Sequence, residues 1–392
     1  MIRNVARLRR ACYTGYFIQA VINNLLPLFF VLISTNYDIT LTELGGLIFF
    51  NFIFQLGIDI ASIKLIGIIG TKRAVVIAQI LSAVGVVGLA FLPYILPSPY
   101  VGFIICIAVY ATGSGFIEVI ISPIIEKIPS NNKSGSMSLL HSFYCWGQAG
   151  TVLITTLLIK LAGASWRLVP LFWMILPIFN TVAFIKSDVP EIDGDHGTKS
   201  GISLKNTDYI LFLVLMLCAG ASELAMSQWA SAFSESVLGI SKVTGDIVGP
   251  CLFAVFMGSG RVLYGLFSKR INGFTAIIGC AILCVLCYIT AAFSPVPALS
   301  LIACAVCGFS VSIMWPGITS IAAGRFPNGG SLLFATIAMA GDLGCSLGPW
   351  VLGTVADFVS FSAGFVATSV FPFIMVIAAF ILKRKFRINS EV

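Results

Sequence analysis

The amino-acid sequence predicts an all-α membrane protein with twelve transmembrane helices in two pseudo-symmetric six-helix bundles. The first observation is composition: the chain has 392 residues, of which 58% are hydrophobic and 10% are charged. A soluble domain carries about 25% charged residues. Lipid must therefore be the solvent for much of this surface.

The second observation is that apolar windows of about 20 residues recur along the chain, separated by Pro, Gly and charged clusters. Each window is long enough to cross a bilayer as a helix. We place the twelve predicted spans near residues 12–36, 42–66, 73–94, 99–123, 135–161, 167–186, 207–234, 245–268, 273–293, 297–323, 329–354 and 359–382.

The basic residues predict the orientation of these spans. With the N-terminus inside, twenty of the 23 Lys and Arg residues lie on the inner side, and the exceptions are Lys160, Arg167 and Lys242. Cytoplasmic loops carry such an excess. We therefore expect a multi-pass protein of the plasma or inner membrane with both termini cytoplasmic. The net charge of +7 follows from this asymmetry, and we expect no nucleic-acid partner. The basic N-terminus leads into the first span without a cleavage site, so we expect no signal peptide.

The third observation is an internal repeat. The segment "GFIEVIISP" begins at Gly115 and "GFSVSIMWP" begins at Gly308, and in each a Pro follows the Gly by eight positions. The repeat predicts an N-terminal six-helix bundle (1–186), a cytoplasmic linker (187–206) and a C-terminal six-helix bundle (207–392). Parallel repeats of this kind occur in transporters, with the solute site between the halves.

The segments "GSGFIEVIISP" and "SLLHSFYCWG" resemble the fourth and fifth helices of the fucose:proton symporter family, within the major facilitator superfamily. "NNLLPLF", "GASELAMSQW" and "GDLGCSLGPWVLGTVAD" resemble its first, seventh and eleventh helices. The resemblance spans nearly the whole chain and implies the major facilitator fold and a transport function. The sugar permeases of the family have an acid where this chain has Asn23, so the resemblance does not imply fucose itself.

Glu118 is the sharpest functional signal, because ionisable side chains inside membrane spans are costly and usually face a cavity or a partner. Its counterpart in the repeat is Val311, so the fold itself does not require a carboxylate there. We predict that Glu118 is the proton-coupling residue, with His141 as its partner. The alternative is a structural carboxylate that never exchanges a proton.

Polar and aromatic side chains in the spans are the candidates for solute binding. Amides offer both a donor and an acceptor to a hydroxyl group, and an indole can stack on a sugar ring. The alternatives are interhelical hydrogen bonding and core packing. The candidate substrate-binding residues are Gln19, Asn23, Asn24, Tyr144, Gln148, Glu223, Gln228, Trp229, Trp315 and Asp342.

Asp59 and Arg261 lie near the inner ends of repeat-equivalent spans, and we predict that they are gating residues. The pairs Cys284 and Cys287, and Cys304 and Cys307, have metal-site spacing. Cysteine in an apolar helix usually packs as a small hydrophobe, so we expect no metal and no cofactor.

These observations predict a proton-coupled symporter of a small polar solute, a sugar or sugar-like compound, working by alternating access and as a monomer. One alternative is a proton-driven exporter of amphipathic compounds, and another is a transporter-like solute sensor. An enzyme is not expected, because no nucleophile with a base and no paired catalytic His occurs in the sequence.

Overall fold

The computed structural model describes residues 5–129, 133–160, 163, 165–192, 206–267, 271–326 and 330–390. All the regular elements formed by these residues are helices. Most of the predicted linker, residues 193–205, lies outside the described residues. The helices group into two compact units, residues 1–39 with 50–195 and residues 40–49 with 196–392.

Within the part of the chain that the structure describes, eight helices belong wholly or mostly to the first unit. They are α1 (Val5–Leu25), α2 (Phe30–Tyr37), α3 (Leu41–Ile69), α4 (Thr71–Ile95), α5 (Pro99–Lys127), α6 (Lys133–Lys160), α7 (Val169–Trp173) and α8 (Ile175–Ile185). The centre of the unit is α1, which packs against α5, α6 and α8 and is buried along most of its length. A 3-10 turn at Leu26–Phe29 separates α1 from α2. It contains Pro27, which cannot donate a backbone hydrogen bond.

The described residues of the second unit form nine helices. They are α9 (Thr207–Ser236), α10 (Lys242–Asp246), α11 (Leu252–Phe267), α12 (Gly273–Phe293), α13 (Pro297–Val311), α14 (Met314–Arg325), α15 (Gly330–Phe358), α16 (Phe361–Thr368) and α17 (Val370–Ser390). Here α9 is the central helix, and it packs against α13, α15 and α17. A π-helical turn at Ile247–Cys251 joins α10 to α11 and contains Pro250.

Ten continuous or kinked helices among the described residues are long and apolar enough to cross a membrane. Val169–Ile185 is apolar but shorter, and α15 is a further helix of 29 residues. Helices therefore cover each of the twelve predicted windows. The chain is a multi-pass all-α membrane protein, and the count of twelve spans stays a prediction.

The repeat has a physical basis in the packing of two glycines. A Cβ on Gly115 of α5 would lie 3.0 Å from the backbone oxygen of Gln55 in α3. A Cβ on Gly308 of α13 would overlap the backbone oxygen of Phe253 in α11. Both units thus use glycine where the fourth predicted span of each half crosses the backbone of the second span of that half. Small residues allow such close crossing in membranes.

The grouping of the residues differs from the predicted bundles at one place, and the predicted boundaries stay a prediction. Residues 40–49, at the start of α3, were expected in the N-terminal bundle but belong to the second unit. The Thr42 hydroxyl donates to the Asp357 carboxylate at 2.7 Å, and a Cβ on Gly45 would touch the Trp350 backbone at 3.1 Å. These contacts join the first residues of α3 to α15. Hydropathy could not predict them, because it indicates that a residue is buried but not which helix covers it.

Candidate functional site

The Glu118 carboxylate on α5 forms the centre of a polar cluster in the first unit. Its Oε2 accepts a hydrogen bond from Gln19 Nε2 on α1 at 2.8 Å and another from Gln55 Nε2 on α3 at 2.6 Å. Glu118 is half-buried, whereas Gln19 and Gln55 are buried. The Glu118 carboxylate on α5 is thus held by neutral amide donors from two other helices, α1 and α3.

A second pair of amides lies one helical turn from the first. Asn51 Nδ2 donates to Asn23 Oδ1 at 3.1 Å, and both side chains are buried. Asn23 follows Gln19 by four residues, and Asn51 precedes Gln55 by four. Residues four apart share a helix face about 6 Å apart along the axis. Helices α1 and α3 therefore face each other with two amide pairs in antiparallel register.

Tyr16 extends the cluster on the other side of Glu118. Its hydroxyl is hydrogen-bonded to the Ser122 hydroxyl at 2.6 Å, one turn of α5 beyond Glu118. The Tyr16 ring meets the ring of His141 edge to face, with centroids 5.2 Å apart. His141 is exposed. The structure therefore brings His141 to the cluster through the Tyr16 ring.

The remaining candidates of the first unit have different surroundings. Asn24 is buried and its amide donates to the backbone oxygen of Ala20 at 2.9 Å, one turn back in its own helix. This bond ties the Asn24 amide to its own helix, which favours a structural role. On α6, Gln148 is buried and Tyr144 is half-buried, at seven and three residues from His141. Asp59 is half-buried on α3, one turn beyond Gln55.

Glu223 and Arg261 lie together in the second unit. The distance between Glu223 Oε2 on α9 and Arg261 Nη2 on α11 is 4.0 Å. Arg261 Nε also donates to the backbone oxygen of Ser312 at 3.3 Å, where α13 ends. The sequence assigned Glu223 to the solute and Arg261 to a gate, and the structure joins them as an ion pair within one unit.

The two tryptophan candidates differ in their surroundings. Trp229 is fully buried, its Nε1 donates to the backbone oxygen of Pro349 at 2.9 Å, and its ring packs edge to face on Phe361. This placement favours core packing. Trp315 is half-buried, and its indole lies against Gly341, where a Cβ would overlap it.

Gly341 immediately precedes Asp342, which is buried, so the structure brings Trp315 and Asp342 to the same place. Gln228 is buried on α9, next to Trp229 in the chain.

Sequence reasoning did not assign a site role to Gln55, Asn51, Tyr16 or Ser122. The signal for the first two was present, because amides at four-residue spacing on an apolar helix mark a polar face. Which neighbouring helix that face meets is a property of the tertiary fold. Tyr16 gave no signal, because an aromatic residue in a span usually packs in the core or at the interface.

Two cysteines of the second unit form a buried pair of thiols. Cys284 Sγ on α12 and Cys307 Sγ on α13 are 3.7 Å apart, and both residues are free and buried. Among the residues that the structure describes, no three His, Cys, Asp or Glu side chains are grouped as metal ligands. The thiols pack as small apolar groups between two helices.

Solved structures with the same fold cover nearly the whole chain. The fucose:proton symporter FucP of E. coli matches 97% of this chain and 99% of its own, with a TM-score of 0.66 and 15% identity. The nucleoside transporter NupG matches 97% and 100%, with a TM-score of 0.77 and 12% identity. A D-xylose-proton symporter matches 96% of both chains, with a TM-score of 0.77 and 14% identity. These similarities establish the fold.

Two comparisons rest on sequence. A multi-drug resistance efflux pump PmrA homolog of Lactococcus lactis subsp. cremoris is 34% identical over 80 residues, which is 20% of this chain and 67% of that protein. The sequence profile of the Major Facilitator Superfamily matches residues 12–349. The fold, the helical repeat and this match lead to one conclusion: the chain belongs to the major facilitator superfamily and is a transporter rather than an enzyme.

Proposed function

We propose that this transporter is a proton-coupled symporter of a small, hydroxyl-bearing solute, with Glu118 as the coupling carboxylate. The observation that carries the proposal is the pair of hydrogen bonds from Gln19 and Gln55 to one carboxylate oxygen, at 2.8 and 2.6 Å. Ionisable groups inside membrane spans are rare and mark ion or substrate pathways. Here the carboxylate is held by groups that can also bind a solute.

The chemistry of the amides supports a coupling role. An ionised carboxylate only accepts hydrogen bonds, whereas a protonated one carries an O–H donor. Proton binding at Oε2 would therefore displace at least one of the two N–H donors. A glutamine amide has a carbonyl at its other end, so Gln19 or Gln55 can turn that oxygen toward the new O–H. Protonation of Glu118 then changes which amide groups are presented to a solute.

The surrounding residues support a polar, hydroxyl-bearing solute. Asn23 and Asn51 lie one turn from the glutamines, and Gln148 is buried on α6, which packs against α1. Each amide can donate to one hydroxyl and accept from another. The similar folds include symporters of fucose and xylose and a transporter of nucleosides. These molecules all contain a sugar ring, which supports sugars and their derivatives as the solute class.

A proton-driven exporter of amphipathic compounds is the second candidate. One observation favours it: the identity of 34% with the efflux pump homolog from Lactococcus. That identity covers 80 residues, a fifth of this chain. In such an exporter, the Glu223 carboxylate would bind the cationic solute. The solute would take the place of the Arg261 guanidinium, the present cationic partner of Glu223.

Uptake by purified protein in liposomes distinguishes the two candidates. A symporter should accumulate a radiolabelled sugar when the outside is acidified, and a protonophore should abolish the accumulation. Each coupled proton supports about tenfold accumulation per pH unit, since one unit corresponds to about 1.4 kcal/mol. Extrusion of a cationic dye under the same gradient, with no accumulation of any sugar in a panel of hexoses, pentoses and nucleosides, would replace symport by export.

A further inference from the structure

A groove at one end of the first unit has the features of a lipid site. It has a volume of about 540 Å³ and lies between α1 and α8. Arg7, Arg10 and Thr14 line it from α1, and Phe179 and Asn180 line it from α8. None of these residues belongs to the Glu118 cluster, so the groove needs an explanation of its own.

The basic side of the groove is arranged for an anionic group. Arg7 and Arg10 are three residues apart and therefore share one face of α1. Arg7 Nη1 donates to the backbone oxygen of Lys186 at 3.1 Å, which fixes its guanidinium at the C-terminal end of α8. Guanidinium groups offer several N–H donors in a planar fork that matches phosphate oxygens. Two such groups beside the Thr14 hydroxyl suit a phosphate ester.

Small residues leave the space that this group would occupy. Three alanines, Ala6, Ala11 and Ala183, contribute to the lining. The two helices are held together next to the groove, because the Asn180 amide donates to the backbone oxygen of Ala11 at 3.1 Å. The groove therefore lies in the packed interface between α1 and α8.

An apolar strip continues from the groove along α8. Its members are exposed and recur every three or four residues, as a helix face requires: Ile175, Ile178, Phe179, Val182 and Ile185. The strip runs for about 15 Å, at 1.5 Å per residue. Half of a hydrocarbon core of about 30 Å has the same depth. A ligand with a phosphate on the arginines and an acyl chain on this strip would fit one leaflet.

We propose that the groove between α1 and α8 binds an anionic phospholipid, with its phosphate on Arg7 and Arg10 and one acyl chain along α8. Basic pockets at the membrane surface bind acidic headgroups. A free phosphate ion would use the arginines but not the apolar strip. The proposal is independent of the transported solute and of the role of Glu118.

The test is lipid binding to the purified full-length protein, measured by native mass spectrometry with phosphatidylglycerol and with phosphatidylcholine of the same chains. Wild type should bind phosphatidylglycerol more tightly. The double variant Arg7→Gln/Arg10→Gln should bind it about 30-fold more weakly, because each basic residue near an anionic surface contributes about a factor of five. Lys72→Gln/Arg73→Gln, which removes two charges at the start of α4, should bind as wild type does.

Two further variants separate the headgroup from the chain and guard against misfolding. Phe179→Ala should weaken phosphatidylglycerol binding while leaving a monodisperse protein. Arg10→Gln alone should lose about fivefold if the double variant does not fold. Equal binding of the two lipids by wild type, or equal binding by the two double variants, would overturn the proposal. So would stabilisation of wild type by inorganic phosphate as strong as that by the lipid, because the ligand would then be the free ion.

Discussion

Glu118 and Glu223 are both carboxylates inside the helical units, but they have opposite kinds of partner. Glu118 Oε2 accepts hydrogen bonds from two neutral glutamine amides. Glu223 Oε2 lies 4.0 Å from the Arg261 guanidinium. Protonation of Glu118 leaves a neutral group among neutral amides. Protonation of Glu223 removes the negative charge beside a cation.

This difference decides which acid is suited to carry a proton through a transport cycle. Breaking a buried ion pair by neutralising one member destabilises a protein by about 3–5 kcal/mol, because the other charge is left uncompensated. Rearranging a neutral hydrogen bond changes the free energy by about 1 kcal/mol. A proton can therefore enter and leave the Glu118 cluster at small energetic cost, whereas Glu223 is better suited to hold Arg261.

The largest expected effect tests whether the ion pair between Glu223 and Arg261 is structural. Glu223→Gln should lower the free energy of unfolding by about 2 kcal/mol, less than for a fully buried pair because the Arg261 side chain is 19% exposed. Thermal unfolding of the purified protein measures this loss. The double change Glu223→Gln/Arg261→Met should recover most of it. An unchanged stability in Glu223→Gln would show that the ion pair is not structural.

The next effect tests whether the amides near Glu118 bind solute. Asn23→Ala should weaken solute affinity by about 1–2 kcal/mol, the usual contribution of one buried hydrogen bond and its desolvated partner. Asn24→Ala is the matched control, because the Asn24 amide donates to its own helix. Binding of the transported solute by calorimetry gives both values. Equal affinities in the two variants would return Asn23 to interhelical bonding with Asn51.

An effect of comparable size tests whether Trp229 on α9, the helix of Glu223, serves core packing or solute binding. Trp229→Phe should lower stability by about 1 kcal/mol, because the hydrogen bond from the indole Nε1 to the Pro349 oxygen is lost. Solute affinity should not change. The variant for comparison is Trp315→Phe, which changes the indole at a half-buried position. A fall in affinity with Trp229→Phe, at unchanged stability, would restore Trp229 to the binding site.

The smallest effect concerns His141. The His141 ring packs edge to face on Tyr16, with centroids 5.2 Å apart. His141→Phe keeps an aromatic edge and should leave sugar accumulation within about twofold of wild type, since ring contacts contribute about 0.5–1.5 kcal/mol. Initial uptake rates at several external pH values check this. Complete loss of uptake in His141→Phe would make the imidazole itself a proton site.

Much of the fold was predictable because lipid imposes simple rules. Apolar windows must become helices that satisfy their own backbone, so the positions of the spans followed from hydropathy. Glu118 could be singled out as a candidate for the same reason, since a lone carboxylate in a long apolar run is costly, and its role stays a prediction. The repeat at Gly115 and Gly308 was also visible, because close helix crossing restricts side-chain size.

The partners of these residues were not predictable from the sequence. Spacing along α3 showed that Asn51 and Gln55 share a face, but only packing shows that the face meets α1 and α5. Arg261 was separated from Glu223 by 38 positions in the chain, with no local pattern to join them. Residues 40–49 group with the second unit, which hydropathy could not indicate because it does not identify neighbours.

Glu118→Gln is the most direct test of the central claim, because glutamine has the shape of the protonated acid and cannot release a proton. In liposomes, the variant should keep sugar counterflow, which needs no net proton movement, and lose accumulation under a pH gradient. Glu126→Gln, an exposed change on the same helix, controls for the lost charge. Accumulation should fall to the equilibrium ratio of one in Glu118→Gln only. Wild-type accumulation in Glu118→Gln under the same gradient would contradict the account and move the coupling site to another residue.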